Sequence, residues 1–332
     1  MLIAVLGLTL LSPSVALADI GDITEPVIDT VEFETGKCKE LDIIHISGNV
    51  CAIAYKGEDD DGYLETVEID TTTGDITHKD NWEFDIKQCK ENDIIHVSGG
   101  ICAIAYKGDG DHGQLQTVEI DTTTGAITDK YNVTFDFGGD NKAKHPKIIH
   151  VSGDIYAIVF DDVKISGGDD HNGYLQTVTI ATDGTITDED NLEFEGDTCK
   201  EADITHVSGG ICAIAYEGES GHVTTVEITT TGAITEIDNA TFASKCKKPN
   251  IIYIAGNVYA IAYEGESGHV TTVEITTTVE ITTTLARVVG GEVYPINKAA
   301  VLMPWLGLAL ILILALGGGT LVLRRRRTQQ PH

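Results

Sequence analysis

Apolar and polar positions follow a block that returns five times along this chain. Ile43-Ile44-His45-Ile46 and Val50-Cys51-Ala52-Ile53-Ala54-Tyr55 are runs of apolar and β-branched residues parted by Ser47-Gly48-Asn49. The block recurs at 93–108, 147–160, 203–218 and 250–265. Its histidine falls at His45, His96, His150 and His206, with Tyr253 in the fifth, at intervals of 51, 54, 56 and 47 residues. A repeat near fifty residues marks a repeat architecture. Each block predicts a hairpin of two strands with a glycine turn. A third strand follows at Tyr63–Asp70, where sidedness alternates residue by residue, then a Thr71-Thr72-Thr73-Gly74 turn and a fourth, more irregular strand at Ile76–Phe84. Four antiparallel strands per repeat are the blade of a β-propeller. The expected fold is therefore all-β, a five-bladed propeller over residues 19–284, with its first two strands buried between neighbouring blades.

Ring closure has its own pattern. Residues 23–35 repeat the fourth-strand stretches that begin at Ile76, Ile127, Ile186 and Ile234, and the fifth repeat has none of its own. The N-terminal stretch is thus expected to supply the outer strand of the last blade and remove an open edge. An open solenoid, or Val279–Thr284 completing the fifth blade from within, are the alternatives. Tyr216–Thr231 returns unchanged as Tyr263–Thr278, which points to duplication of a building block.

The two ends lie outside this period. Met1–Ala18 is apolar and ends Ala16-Leu17-Ala18, the small-residue pattern of a signal-peptide cleavage site. Ala299–Leu323 is a 25-residue run without charge, long enough to span a bilayer as one helix, and Arg324–Arg327 follow it. The arginines place residues 324–332 in the cytoplasm and the repeats outside, with 285–298 as a linker. The formal net charge of −30 argues against a nucleic-acid partner and for a solvated surface that attracts cations or basic groups.

The pattern I-I-H-[IV]-S-G, the acidic glycine loop, T-V-x-I and G-x-I-T together resemble the propeller-type repeats of uncharacterised prokaryotic surface proteins. Residues 288–298, the apolar run and the arginines resemble the C-terminal sorting or anchoring tails of such proteins, without an LPxTG or PEP-type motif. The resemblance implies architecture and a cell-surface location.

Candidate chemistry is sparse. Cys38/Cys51, Cys89/Cys102 and Cys199/Cys212 share a spacing of 13 and are jointly missing from the third repeat, so three structural disulfides are expected, with buried free thiols as the alternative. Cys246 is left over, and no C-x-x-C pair suggests zinc. The four repeat histidines either line a channel as a ligand ring or tie strand to loop within each blade; the second reading is preferred. The loop acids Asp59, Asp61, Asp109, Asp111, Asp169 and Asp170 are the candidates for Ca2+, though none completes a calcium-loop spacing. Asp42, Asp93 and Asp203 precede the inner strands and would be the channel carboxylates of a glycosidase-like enzyme, but repeat-equivalent acids offer nothing to push their pKa values apart. The expected function is a non-catalytic binding or adhesion module, meeting a surface protein or glycan and needing no cofactor beyond a candidate Ca2+; the alternatives are that glycosidase-like enzyme and a purely structural envelope protein.

Overall fold

The computed structural model describes residues 27–135, 142–163 and 171–276, with the backbone of two short strands at 286–289 and 292–295. The chain divides into two units, Met1–Thr277 and Thr278–His332.

The first unit is built from antiparallel sheets that follow the repeats. Sheet one holds β1 (Lys39–Ser47), β2 (Val50–Lys56), β3 (Gly62–Ile69) and β4 (Ile76–Asp85) in that order. Sheet two holds β5 (Lys90–Ser98), β6 (Ile101–Lys107), β7 (Gly113–Ile120) and β8 (Ile127–Thr134). Sheet three holds β9 (Ala143–Ser152), β10 (Ile155–Val163), β11 (His171–Ile180) and β12 (Ile186–Glu195). Sheet four holds β13 (Lys200–Ser208), β14 (Ile211–Glu217), β15 (Gly221–Ile228) and β16 (Ile234–Ala243). Sheet five has three strands, β17 (Lys247–Ala255), β18 (Val258–Glu264) and β19 (Gly268–Glu274). These up-and-down sheets fit the blades of a β-propeller.

The inner hairpin turns on two residues. Gly48, Gly99, Gly153, Gly209 and Gly256 each take a φ between 56° and 59°, a left-handed conformation that suits glycine. A bulge opens each inner strand, again in a left-handed conformation but without glycine, at Glu40, Glu91, His145, Glu201 and Lys248.

The second strand of each of the three middle repeats is sandwiched between two neighbours, which explains its unbroken apolar run. Its two faces differ in size. Ala103 and Ala105 join the core shared with sheet three, whereas Cys102, Ile104 and Tyr106 join the core shared with sheet one. The same division puts Ala157 and Val159 opposite Cys212, Ile214 and Tyr216, and Ala213 and Ala215 opposite Tyr259 and Ile261. Small side chains on one blade leave room for large ones on the next, and each seam becomes a close-packed core of its own. At about 25 cal/mol per Å² of apolar surface, these seams rather than the strand ladders supply most of the stabilisation.

Ring closure differs from expectation. Among the described residues, 27–35 form no strand and pair with none, and β19 has no fourth strand beside it. The N-terminal segment lies instead against sheet one: Asp29 Oδ2 accepts the Ile76 N–H at 2.8 Å, and the rings of Phe33 and Tyr55 meet at 5.3 Å. The outer strands of complete blades make the same contacts on the blade that follows them, through Asp80 to Ile127 N–H, Asp190 to Ile234 N–H, and Phe84 on Tyr106. The segment therefore holds an outer strand's place but joins no sheet among the described residues.

In the second unit, the stretch expected to be a linker carries a small hairpin, β20 (Ala286–Val289) with β21 (Glu292–Pro295). The proposed signal peptide, the apolar run 299–323 and the basic tail 324–332 lie outside the described residues. Among the described residues, no helix is long and apolar enough to cross a membrane.

Candidate functional site

The inner strands gather the polar residues singled out by the repeat. Asp42 Oδ2 accepts the Ile94 N–H at 3.1 Å, Asp93 Oδ2 that of Ile148 at 2.8 Å, and Asp203 Oδ2 that of Ile251 at 2.8 Å. Each bond joins a blade to the next. The third repeat breaks the acid series with Lys147, whose ammonium lies 2.8 Å from Asp93 Oδ1. The fifth breaks it with Asn250, whose amide donates to Asp203 at 3.0 Å. Burial pushes the Asp93 and Asp203 carboxyls above their ordinary range, while Lys147 and the donated amide hydrogens pull them back. Burial disfavours the Lys147 ammonium, but the surrounding Asp93, Asp203 and Asp42 outweigh it and hold its pKa up. The carboxylates act as connectors whose lone pairs are directed into the neighbouring backbone.

The histidines do not form a ligand ring. In each hairpin the imidazole Nε2 donates to the turn carbonyl: His45 to Gly48 at 2.9 Å, His96 to Gly99 at 2.9 Å, His150 to Gly153 at 2.8 Å and His206 to Gly209 at 2.7 Å. Tyr253 serves the same turn differently, its hydroxyl accepting the Gly256 N–H at 3.0 Å. The imidazole therefore pins the left-handed glycine turn within its own blade, as the tyrosine substitution suggests.

The acidic loops are matched by lysines. Asp109 meets Lys87 at 2.8 Å, and Asp111 meets Lys107 at 3.1 Å and Lys142 at 2.6 Å. Burial acts to raise the Asp111 carboxyl, but the three donors around it, Lys142, Gln88 and Lys107, take it far below its ordinary value. Asp61 runs the other way, raised by burial and by Glu83 beside it. Asp59 sits in a left-handed conformation at the loop tip. Asp169 and Asp170 lie outside the described residues. Among the described residues, no three histidine, cysteine or acidic side chains come together as a metal site.

The three disulfides are not formed; all seven cysteines are free thiols. The hairpin register gives the reason. Cys51 pairs with His45 near the turn, whereas Cys38 precedes Lys39, which pairs with Lys56 at the open end. At about 3.3 Å per strand residue this separation far exceeds the roughly 7 Å limit between bonded Cα atoms. Cys102 opposite His96 and Cys212 opposite His206 repeat the arrangement. The two cysteine positions belong to different parts of the seam. Cys89 and Cys246 pack their Cβ atoms, and Cys199 its sulfur, where a side chain on Gly62, Gly221 and Gly173 of the preceding blade would stand. Burial pushes the Cys102, Cys212 and Cys246 thiols up to about 12.

One cluster escaped the sequence reading. In the third repeat the fully buried Asp161 lies between His145 Nδ1 at 2.7 Å and His171 Nδ1 at 3.2 Å. It is the charge-reversed form of the first repeat's pair, and the fifth repeat has the same reversed order. Lys56 faces Glu40 at 3.5 Å in the first repeat, and Lys248 faces Glu264 at 3.5 Å in the fifth. In the fourth both positions are acidic, Glu201 and Glu217, and Glu217 is raised by burial and then by Glu201. The signal was present as charges that exchange places between the first repeat and the third and fifth.

No family model matches this chain, and no curated protein matches it. Among solved structures it is similar to a protein from Lactobacillus plantarum, at 15% identity and a TM-score of 0.45, over 69% of this chain and 68% of that one. It is also similar to Saccharomyces cerevisiae Sqt1, at 10% identity and 0.47, over 75% of this chain and 65% of that one. The SapL1 lectin, in a complex with alpha methyl fucoside, is similar at 10% identity and 0.40, over 69% and 74%. At these scores the likenesses carry no statement about activity.

Proposed function

We propose that this chain is an exported binding module, held to the membrane by residues 299–323 with its basic tail inside, and meeting a surface protein or glycan through its blade loops. The supporting observation is the use made of the inner-strand acids. Asp42, Asp93 and Asp203 each spend a carboxylate oxygen on the next blade's backbone, a joining role rather than the two contrasting carboxylates of glycoside hydrolysis. Variation between repeats falls instead in the loops from the second to the third strand, which suits recognition on a rigid scaffold.

The test is an array of glycans and surface proteins probed with the full chain, beside a glycan-hydrolysis screen of wild type and Asp93→Asn. Retention of a ligand without turnover is the expected result. Turnover that Asp93→Asn abolishes while the fold persists would replace this reading with the enzyme. Orientation is checked with a tag after His332, expected to be shielded from protease in intact cells.

A further inference from the structure

Each end of the repeat array carries half of a seam. At the first blade, Ile43 is 58% exposed, whereas its equivalents Ile94, Ile148, Ile204 and Ile251 are 3–5% exposed against the preceding blade. At the fifth blade, Val270 is 72% exposed, whereas its equivalents Leu64, Leu115 and Leu175 are 0% and Val223 is 7%. Gly62 and Gly221 have the next blade's cysteine against them, while Gly268 has nothing within 4 Å. Cys38, which stands where Cys89 and Cys246 stand, is only half-buried. The missing parts correspond as well. Among the described residues sheet five has no outer strand, and residues 27–35 hold an outer strand's place without pairing to a sheet. Between β16 and the end of β19 runs a groove of about 350 Å³, lined by Ile237, Ala240 and Val273, where that strand would lie.

We propose that these half-seams join between two copies of this chain, head to tail, so that the N-terminal end of one molecule completes the fifth blade of another. Continuity with the seams inside the chain supports it: the fifth repeat's Tyr263–Thr276 has the same sequence as Tyr216–Thr229, the stretch that already receives a blade. Charge fits too. Lys90 reaches Asp60 in the loop of the preceding blade at 3.4 Å; Lys39 stands at the place of Lys90, and the acid of the fifth blade's loop is Glu266, an exposed side chain that also meets Lys245 at 3.1 Å. The N-terminal segment is already docked on its own first blade, so a second copy meets both halves with no rearrangement of either. The two surfaces differ, so the contact is heterologous and propagates into a filament or closes into a ring of chains. The added strand pairs with β19 by augmentation. The register of β3 on β4, Leu64 opposite Trp82, places Val31 of one copy opposite Val270 of the other.

The experiment mixes two full-length variants purified in mild detergent, Val31→Cys and Val270→Cys, under mild oxidation. A cross-linked dimer that forms only in the mixture, with mass spectrometry locating the bond between the two introduced cysteines, is the expected result. The doubly substituted chain is expected to give a ladder of multimers. A cross-link confined within single doubly substituted chains would overturn the proposal in favour of closure by the same molecule. No cross-link in either case would overturn it in favour of another segment of the chain, such as 279–284, at that edge. Ile43→Glu changes a position already open to solvent; it should remove every species above one chain in mass photometry and leave the circular dichroism spectrum unaltered.

Discussion

The seam between the first two blades and the unfilled faces at the two ends are made from the same residues in different surroundings. Ile94 and Ile43 occupy one position of the repeat; the first is in a closed core and the second faces solvent. Gly62 and Gly268 occupy another; the first is crowded by Phe84 and Cys89 and the second is open. The contrast separates what a residue contributes through its strand from what it contributes through its neighbour. In a repeat protein the second term is an interface energy between units, and terminal units lack it on one side.

The largest expected effect breaks this contrast by truncation. Ile94→Ala should cost about 2–5 kcal/mol, the range for emptying a packed core position. Ile43→Ala should stay within about 0.5 kcal/mol, as for an open surface site. Urea denaturation of both at low protein concentration is the measurement. Overfilling comes next. A β-carbon on Gly62 would stand 2.6 Å from the Phe84 ring and 2.7 Å from Cys89 Cβ, so Gly62→Ala should cost about 1–3 kcal/mol, while Gly268→Ala should be close to neutral.

The third prediction concerns pH. Burial acts to lower the His145 pKa from 6.5, but Asp161, with Glu91 and Glu201, raises it overall. Burial acts to raise Asp161 from 3.8, but the two histidines take it below that value. The histidine contribution is complete below about pH 6.5 and is lost as pH rises through the higher folded value; the carboxylate contribution is complete above about pH 3.8 and is lost as pH falls through the lower one. The melting temperature should therefore decline from pH 6 to pH 9, and His145→Gln should flatten that decline. The smallest effect is a gain. Glu201→Lys gives the fourth repeat the opposite-charge pair that the first and fifth possess, and should stabilise by about 0.2–1 kcal/mol in thermal or urea melts.

Much of the fold was legible because the repeat supplies its own controls. Five occurrences of one hairpin fixed strand order, turn positions and the scaffold role of His45, since Tyr253 fills the same place. The cysteines show where the spacing misled. Cys89 and Cys102, like Cys199 and Cys212, occur together because both belong to one seam's packing, and joint occurrence within a repeat does not distinguish direct contact from a shared environment. Alkylation in denaturant should count seven thiols, against one if three disulfides were present. The third repeat's His145, Asp161 and His171 were passed over because each residue is unremarkable alone; only the exchange of sign with Glu40 and Lys56 marks them. The open seam was beyond reach, because Ile43 and Ile94 share one local pattern and the difference between them is a neighbour.

The carboxylate bonds between blades also give the molecule an arrow in time. Asp42 waits for the amide of Ile94, Asp93 for that of Ile148 and Asp203 for that of Ile251, while Glu40 and Glu91 wait for the amides of Glu91 and His145. In every case the acceptor is earlier in the chain and the donor later. During synthesis, each blade leaving the ribosome finds its anchoring acids already in place on the one before it, so assembly can keep step with translation, one hairpin at a time.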